Sequence, residues 1–249
     1  MKTEQLYDAG LDELLALARE RYNVAFAPVA IDGLSLELLQ IADMTEHLDR
    51  LAGDPRHEQL VLPFWAKVWP ACLVLGYAIR RLPEAPGRTV LEIGSGLGLN
   101  GLVAAARGFD VTISDNNDDA LLFCRINILK NGLQDNARIR RLDFTLDRME
   151  RRFDCIIGCE VLYHEDSYRP LVKFLLRHLA ATDTAEVILA MDHRRKAKKF
   201  FSLAEREFSM QKKYIGYTAT PRDSSSGQGE DGPERFLCAL YRLQARRRA

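Results

Sequence analysis

No stretch of this chain holds the roughly 18 to 20 consecutive apolar residues that a membrane-crossing helix requires. Met1 to Gly10 also lacks the basic and then apolar regions of a secretory signal, so the expected compartment is the cytoplasm, without a membrane partner. Cysteine is scarce and unpatterned: Cys72, Cys124, Cys155, Cys159 and Cys238 are odd in number, dispersed, and mostly set in apolar segments. That distribution suits reduced core thiols and provides no zinc-ligand spacing. The five histidines are equally scattered, and no metal is expected. Net charge is missing too: 35 basic residues balance 35 acidic ones, leaving no global positive field to hold a nucleic acid backbone.

What remains is the composition of an ordinary globular protein of 249 residues, 47% hydrophobic and 28% charged. The zero balance conceals an asymmetry. Residues 1–60 carry 5 basic and 12 acidic side chains, so the first quarter is as acidic as the rest is basic. Within it, LDELLALARE at 11–20 has helical apolar spacing and is followed by mixed strand-like and helix-like pieces. We read residues 1–60 as an N-terminal extension or cap and residues 61–249 as the main domain. The sequence leaves three uses for that acidic region: a recruiting surface, a cap on the sheet, or a dimer contact.

Pro70 to Leu82 reads as a buried helix, opened by Pro at a first helical position and stopped by Pro83. From Arg88 onward, short apolar strands alternate with helices, which is the signature of a parallel sheet with crossovers. The strands are expected at Thr89–Ile93, Asp110–Ser114, Arg138–Leu142, Phe153–Cys159 and Glu186–Met191. Helices are expected at Leu99–Arg107, Asn117–Lys130, Tyr168–Ala180 and Arg194–Phe208, with Gly132 ending the second of them. Two final alternating runs, QKKYIGYTAT and RFLCALYRL, have no helix between them and read as an antiparallel pair. The Ser-, Gly- and Pro-rich residues 221–233 joining them read as a mobile loop.

The run VLEIGSGLGLNG puts Gly94, Gly96 and Gly98 at the junction of the first parallel strand and its helix, where missing side chains let a ligand approach the backbone. Gly96, Gly98 and Gly101 also satisfy the dinucleotide spacing G-x-G-x-x-G. Three details favour a different nucleoside cofactor. The strand ends at Ile93, which suits a motif starting at Glu92; Asp143 follows the third strand; and the closing hairpin is foreign to the usual dinucleotide domain.

Together these features resemble the class I S-adenosylmethionine-dependent methyltransferases over roughly Pro63 to Leu243. The resemblance implies an α/β, Rossmann-like, seven-stranded, mostly parallel sheet with a reversed last strand, and S-adenosyl-L-methionine as cofactor. It also implies that Glu92 and the Gly94, Ser95, Gly96 and Gly98 turn surround the methionine and ribose. Asp115 would take the ribose hydroxyls and Asp143 the adenine amine. The plainer readings are a helix N-cap for Asp115, with Asn116 or Asn117 sharing that role, and a solvated loop carboxylate for Asp143.

Which methyltransferase is suggested by FDCIIGCEVLYHED at the fourth strand. Enzymes acting on exocyclic base amines or the glutamine amide usually carry an Asn/Asp-Pro-Pro-Tyr sequence there, and this chain has Glu160-Val-Leu-Tyr163. That acidic-x-x-Tyr sequence, with Trp65, Ala66, Trp69 and Pro70 upstream, is similar to the seven-stranded protein lysine methyltransferases. The likeness is nearest to the branch modifying the β-subunit of electron transfer flavoprotein, although Glu replaces the usual Asp. On this resemblance Trp69 lies against the adenine, Glu160 orients the lysine amine, and Tyr163 forms a wall or supplies its hydroxyl. Core packing is the plainer reading of both tryptophans. His164, Asp192 and His193 also fall at strand ends, His164 as a candidate base or a surface residue, and Asp192 as a substrate contact or a helix start. The basic run Arg194–Lys199 and Arg246–Arg248 read as solvated, or as a docking surface for acidic protein or RNA. A protein substrate is therefore expected. The rival substrates are a small-molecule amine or an RNA, and the rival class is a noncatalytic cofactor-binding scaffold.

Overall fold

A computed structural model describes residues 5–52, 63–85, 87–219 and 234–246. The expected extension boundary at residue 60 and the expected mobile loop at 221–233 lie outside the described residues.

The chain opens with helices α1 (Gln5–Asp8) and α2 (Leu11–Arg19), then the antiparallel hairpin β1 (Val24–Ile31) and β2 (Leu34–Ile41), then α3 (Met44–Ala52). Helix α4 (Pro70–Arg80) leads into β3 (Thr89–Ile93), α5 (Leu99–Ala105), β4 (Asp110–Asp115), α6 (Asp118–Lys130) and β5 (Ala137–Arg141). The second half runs β6 (Cys155–Cys159), α7 (Tyr168–His178), β7 (Glu186–Asp192), α8 (Lys198–Ala204), β8 (Phe208–Ala219) and β9 (Glu234–Ala245).

Strands β3 to β9 form one seven-stranded sheet in the order β5-β4-β3-β6-β7-β9-β8, with β9 antiparallel to both neighbours. The expected parallel sheet with a reversed last strand is what forms. Side-chain alternation divides the sheet between two layers. Val90, Val111, Ile113 and Ile157 face α4, α5, α6 and the N-terminal hairpin. Leu91, Ile93, Ile156 and Leu189 face α7 and α8. Both faces are covered, which is why these strands read as continuous apolar runs.

Local signals set the helix ends. Asn117 caps α6 by accepting the Asp119 and Ala120 amides at 2.9 and 3.0 Å. Gly132, at φ 66°, closes the same helix, its amide reaching Leu129 O and that of Leu133 reaching Ile128 O. Helix α8 is shorter than expected: Arg194 and Arg195 stand in a loop, and Phe208, expected to end the helix, begins β8. Phe208 is fully buried, and that burial, rather than helical spacing, decides its place.

Helix α2 and the β1–β2 hairpin pack on the layer in front of the sheet, and their Leu14, Leu38 and Leu39 belong to the same core cluster as Leu121 and Phe123 of α6. Asn127 of α6 and Asn131, just past the end of that helix, hold the hairpin. Asn131 pairs with both the amide and the carbonyl of Glu37 at 2.9 Å. Asn127, wholly buried, accepts the Leu39 amide at 2.7 Å and donates to Leu97 O at 3.0 Å. We expect Asn127→Ala to cost about 2 to 3 kcal/mol, because it strands a buried donor and a buried acceptor. Urea unfolding would measure this, and a loss within error would mean that the hairpin is held by its apolar face alone.

Candidate active site

The chain leaves β3 toward β4 and β5 on one side, then crosses to place β6 on the other. At such a switch point adjacent loops diverge and a crevice opens at the carboxyl ends of the strands. A cleft of about 1590 Å³ lies there, lined by residues following β3, β4, β5, β6 and β7 and by the segment that enters α4.

The first wall is the turn after β3. At Gly96 (φ 54°) a Cβ would stand 2.6 Å from the main-chain oxygen of Trp65, which has no flexible end to move aside. Its amide donates to Asp115 Oδ2 at 2.9 Å, while Asp115 Oδ1 accepts the Asn117 amide at 3.0 Å. Asp115 is only 7% exposed yet lines the cleft, and burial pushes its carboxyl above the ordinary range. Asn117 is the residue that caps α6, so Asp115 is not occupied with that task. Asp143 also lines the cleft and accepts the Thr145 amide and hydroxyl at 2.8 and 2.6 Å.

Of the residues expected around the cofactor, Trp69, Gly94, Ser95, Gly96, Asp115 and Asp143 share this one cleft. Glu92 and Gly98 do not line it. Gly98, at φ 77°, is the N-cap of α5, and Glu92 is 1% exposed behind the turn, accepting the Gly101 amide at 2.9 Å. A Cβ on Gly101 would meet Glu92 Oε2 at 2.7 Å and Ile113 at 2.4 Å, so the third glycine of the second motif serves helix-to-sheet packing. Trp65 packs edge-on against Tyr22 and Phe123, joining the cap to α6. Trp69 is half-buried at the head of α4, with its indole donating to Phe64 O at 3.1 Å and Lys67 Nζ 5.3 Å from its ring.

The opposite wall begins after β6. Glu160 lies at φ 53°, a left-handed conformation that a side chain enters at a cost of about 1 to 2 kcal/mol. Its amide donates to Ala190 O at 2.9 Å, and its Oε1 accepts the Asp192 amide at 2.6 Å. Its Oε2 accepts Arg195 Nε at 3.1 Å. Burial raises the Glu160 carboxyl, while the Asp192 amide and the Arg195 charge oppose that rise. Asp192 is itself held by a two-pronged Arg194 pair at 2.9 and 2.7 Å, and its carboxyl is lowered to about 2, chiefly by that hydrogen bond. Tyr163, 60% exposed, lines the cleft with its ring edge-on to the exposed His164. Behind Glu160 the thiols of Cys72 and Cys159 are 2.9 Å apart. The sequence reading did not single out Arg195 or Asn127. The signal for Asn127 was an amide between two isoleucines inside an apolar helix; Arg195 stood in a basic run that reads as solvent-facing.

A profile of the lysine methyltransferase family matches residues 58–207. The chain belongs to the lysine methyltransferase family. It is 32% identical over 154 residues to the protein N-lysine methyltransferase METTL21A of Mus musculus, covering 59% of this chain and 70% of that one. It is 30% identical to the Danio rerio METTL21A over 175 residues, covering 68% and 78% of the two chains. A putative RNA methyltransferase from Pyrococcus horikoshii has the same fold, with a TM-score of 0.55 at 16% identity over 81% of this chain and 98% of that one. The protein is an S-adenosylmethionine-dependent lysine methyltransferase, and the class expected from its motifs is the class found.

Glu92 supplies a test of how the cofactor turn is built. Its carboxyl is raised to about 8 by burial, against hydrogen bonds from Gly101 and Asn100. The folded state thus binds the proton more tightly than the unfolded one, and this residue's contribution to stability falls as pH rises from about 4.5 to about 8. Glu92→Gln removes that dependence. Its stability relative to the wild type should climb through this window by at most about 1.4 kcal/mol per pH unit, measured by denaturant unfolding at several pH values. A constant difference across the window would show that Glu92 stays ionised in the fold.

Proposed function

We propose that the cleft holds S-adenosylmethionine along the β3–β5 wall and receives a protein lysine along the β6–β7 wall, with Glu160 and Tyr163 as the catalytic residues. Asp115 accepts the ribose hydroxyls, Asp143 the adenine amine, and Trp69 lies against the purine, where an indole face is a suitable partner. The Gly94–Gly96 turn leaves room for the methionine part. The donor set fits the cofactor: a buried carboxylate and a second one beyond it, a turn with glycine at 94 and 96, and an indole border one cleft. When bound, the cofactor supplies an electrophilic methyl group on a cationic sulfonium.

The observation that carries this reading is the strained Glu160 at the exit of β6, with one oxygen fixed by the Asp192 amide and both it and Tyr163 facing the cleft. A backbone held at φ 53° without a glycine indicates that the side chain is needed there. Methyl transfer is an in-line displacement, so the nucleophile must be held in one direction and must be neutral. A lysine amine has an ordinary pKa near 10.4, and desolvation beside the cationic sulfonium favours its neutral form. A carboxylate favours the ammonium, so Glu160 serves to orient the amine by accepting its hydrogen bond, not to deprotonate it. The place of action is the cytoplasm, a reading supported by five free thiols.

Methyl-labelled S-adenosylmethionine added to a lysate of the source organism, fractionated into protein, RNA and small molecules, tests the substrate class. Label is expected on lysine in a discrete protein; label only in RNA or small molecules would overturn the lysine reading, and tight cofactor binding with no turnover would favour the scaffold. The role of Glu160 is tested separately. Glu160→Gln should bind S-adenosylhomocysteine as the wild type does while methyl transfer falls roughly 100-fold, and a fully active variant would remove Glu160 from the mechanism. Asp115→Ala should do the reverse, weakening S-adenosylhomocysteine roughly 10- to 100-fold by calorimetry.

A further inference from the structure

The run Arg194–Lys199 reads as a solvated basic surface, yet its second member turns inward. Arg195 Nε donates to Glu160 Oε2 at 3.1 Å, and the two side chains are 38% and 13% exposed. The approach is fixed by the loop that separates β7 from α8. The Arg195 amide closes a turn onto Asp192 O at 3.0 Å, and Asp192 spends its carboxylate on Arg194 rather than on Arg195. Ala197, at φ 36°, then redirects the chain into α8. The same loop thus supplies both partners of Glu160, a main-chain amide for Oε1 and a guanidinium for Oε2.

We propose that Arg195 is a positioning residue of the methyl transfer, holding the Glu160 carboxylate in one orientation at the edge of the cleft. This rests on the role given to Glu160 above. With Oε1 pinned by the Asp192 amide, a guanidinium on Oε2 fixes the second torsional freedom of the carboxylate. Oε2 is also the oxygen with the more exposed partner, so a substrate amine approaches the lone pair that Arg195 leaves unused. The charged and titratable groups facing Glu160 are Cys159 on β6, Asp192 at the end of β7, Arg194 and Arg195 beyond it, and Cys238 on β9. Among them Arg195 is the cation in direct contact, opposing the effect of burial on the carboxyl.

The test compares the full-length wild type with Arg195→Ala and Arg195→Lys. The rate of label transfer from methyl-labelled S-adenosylmethionine to lysate protein is followed from about pH 6.5 to about pH 9. Loss of the cation leaves Glu160 ionised only at higher pH. Arg195→Ala, which also frees the carboxylate to rotate, should therefore be roughly tenfold slower than the wild type, with the deficit largest at the acid end, and Arg195→Lys should fall between the two. Binding of S-adenosylhomocysteine should be unchanged in both. The Glu160 carboxyl is also titrated directly by carbon NMR of glutamate-labelled protein, its signal assigned by its absence from Glu160→Gln, and its midpoint should rise in Arg195→Ala. An unmoved midpoint, or an Arg195→Ala variant as fast as the wild type, overturns the proposal. The titration needs no substrate, so a wild type that labels no lysine would defeat the activity reading while leaving the contact between Arg195 and Glu160 open to measurement.

Discussion

The hydrogen bond from the Gly96 amide to Asp115 is the contact on which the cleft depends, because it ties the turn after β3 to the end of β4 across the point where the two strands separate. The turn is clamped from other directions as well. Trp65 O presses on Gly96 where a Cβ would otherwise stand, Asn127 takes Leu97 O, and Glu92 holds the Gly101 amide from behind. Each clamp comes from a different element, so the turn cannot shift without disturbing the sheet, α6 and the segment before α4 together. This gives the acidic extension a physical role: its strand β2 shares Asn127 with the turn, and its Tyr22 packs on Trp65.

The two walls of the cleft are built by different means. On the β3–β5 side the carboxylates of Asp115 and Asp143 are fixed largely by main-chain amides, which neither leave nor rotate. On the β6–β7 side one amide is reinforced by charged side chains, Arg195 on Glu160 and Arg194 on Asp192, and these are partly exposed. Partly exposed ion pairs contribute little stability, so what these pairs supply is the direction of the carboxylates. A rigid wall suits a ligand that is the same in every turnover. A wall whose carboxylates are aimed by charged side chains suits an amine that must be held in one direction.

Much of this was readable in the chain because the relevant signals are local. Strand–turn–helix punctuation located Thr89–Ile93, Asp110–Ser114 and the glycine turn between β3 and α5, and the direct junction of two alternating runs announced the reversed strand. What was misjudged depended on tertiary direction. Glu92 belongs to the motif by spacing, but alternation along β3 sends its side chain into the layer behind the turn, where it is buried. Helix α8 looked longer because Arg194 to Phe208 contains helix-forming residues, whereas the Asp192–Arg194 pair and the turn at Ala197 delay its start and the burial of Phe208 ends it. Arg195 was hidden for the same reason: a residue in a basic run shows no inward face until the loop that carries it is placed.

The left-handed Glu160 links these arguments. With an extended backbone at that position, its side chain would follow the alternation of β6 and point into one of the two covered faces, where an unpaired carboxylate is costly. The positive φ instead turns it over the strand end, so that Asp192 N reaches one oxygen and the other meets Arg195 at the cleft. The residue after it, Val161, packs 2.9 Å from where a Gly94 Cβ would be, so the turns on the two walls constrain each other directly. A side chain at Gly94 would press on the Val161 methyl group, and at φ 57° it would be strained as well. The glycine motif of the β3–β5 wall is thereby packed directly against the turn of the β6–β7 wall.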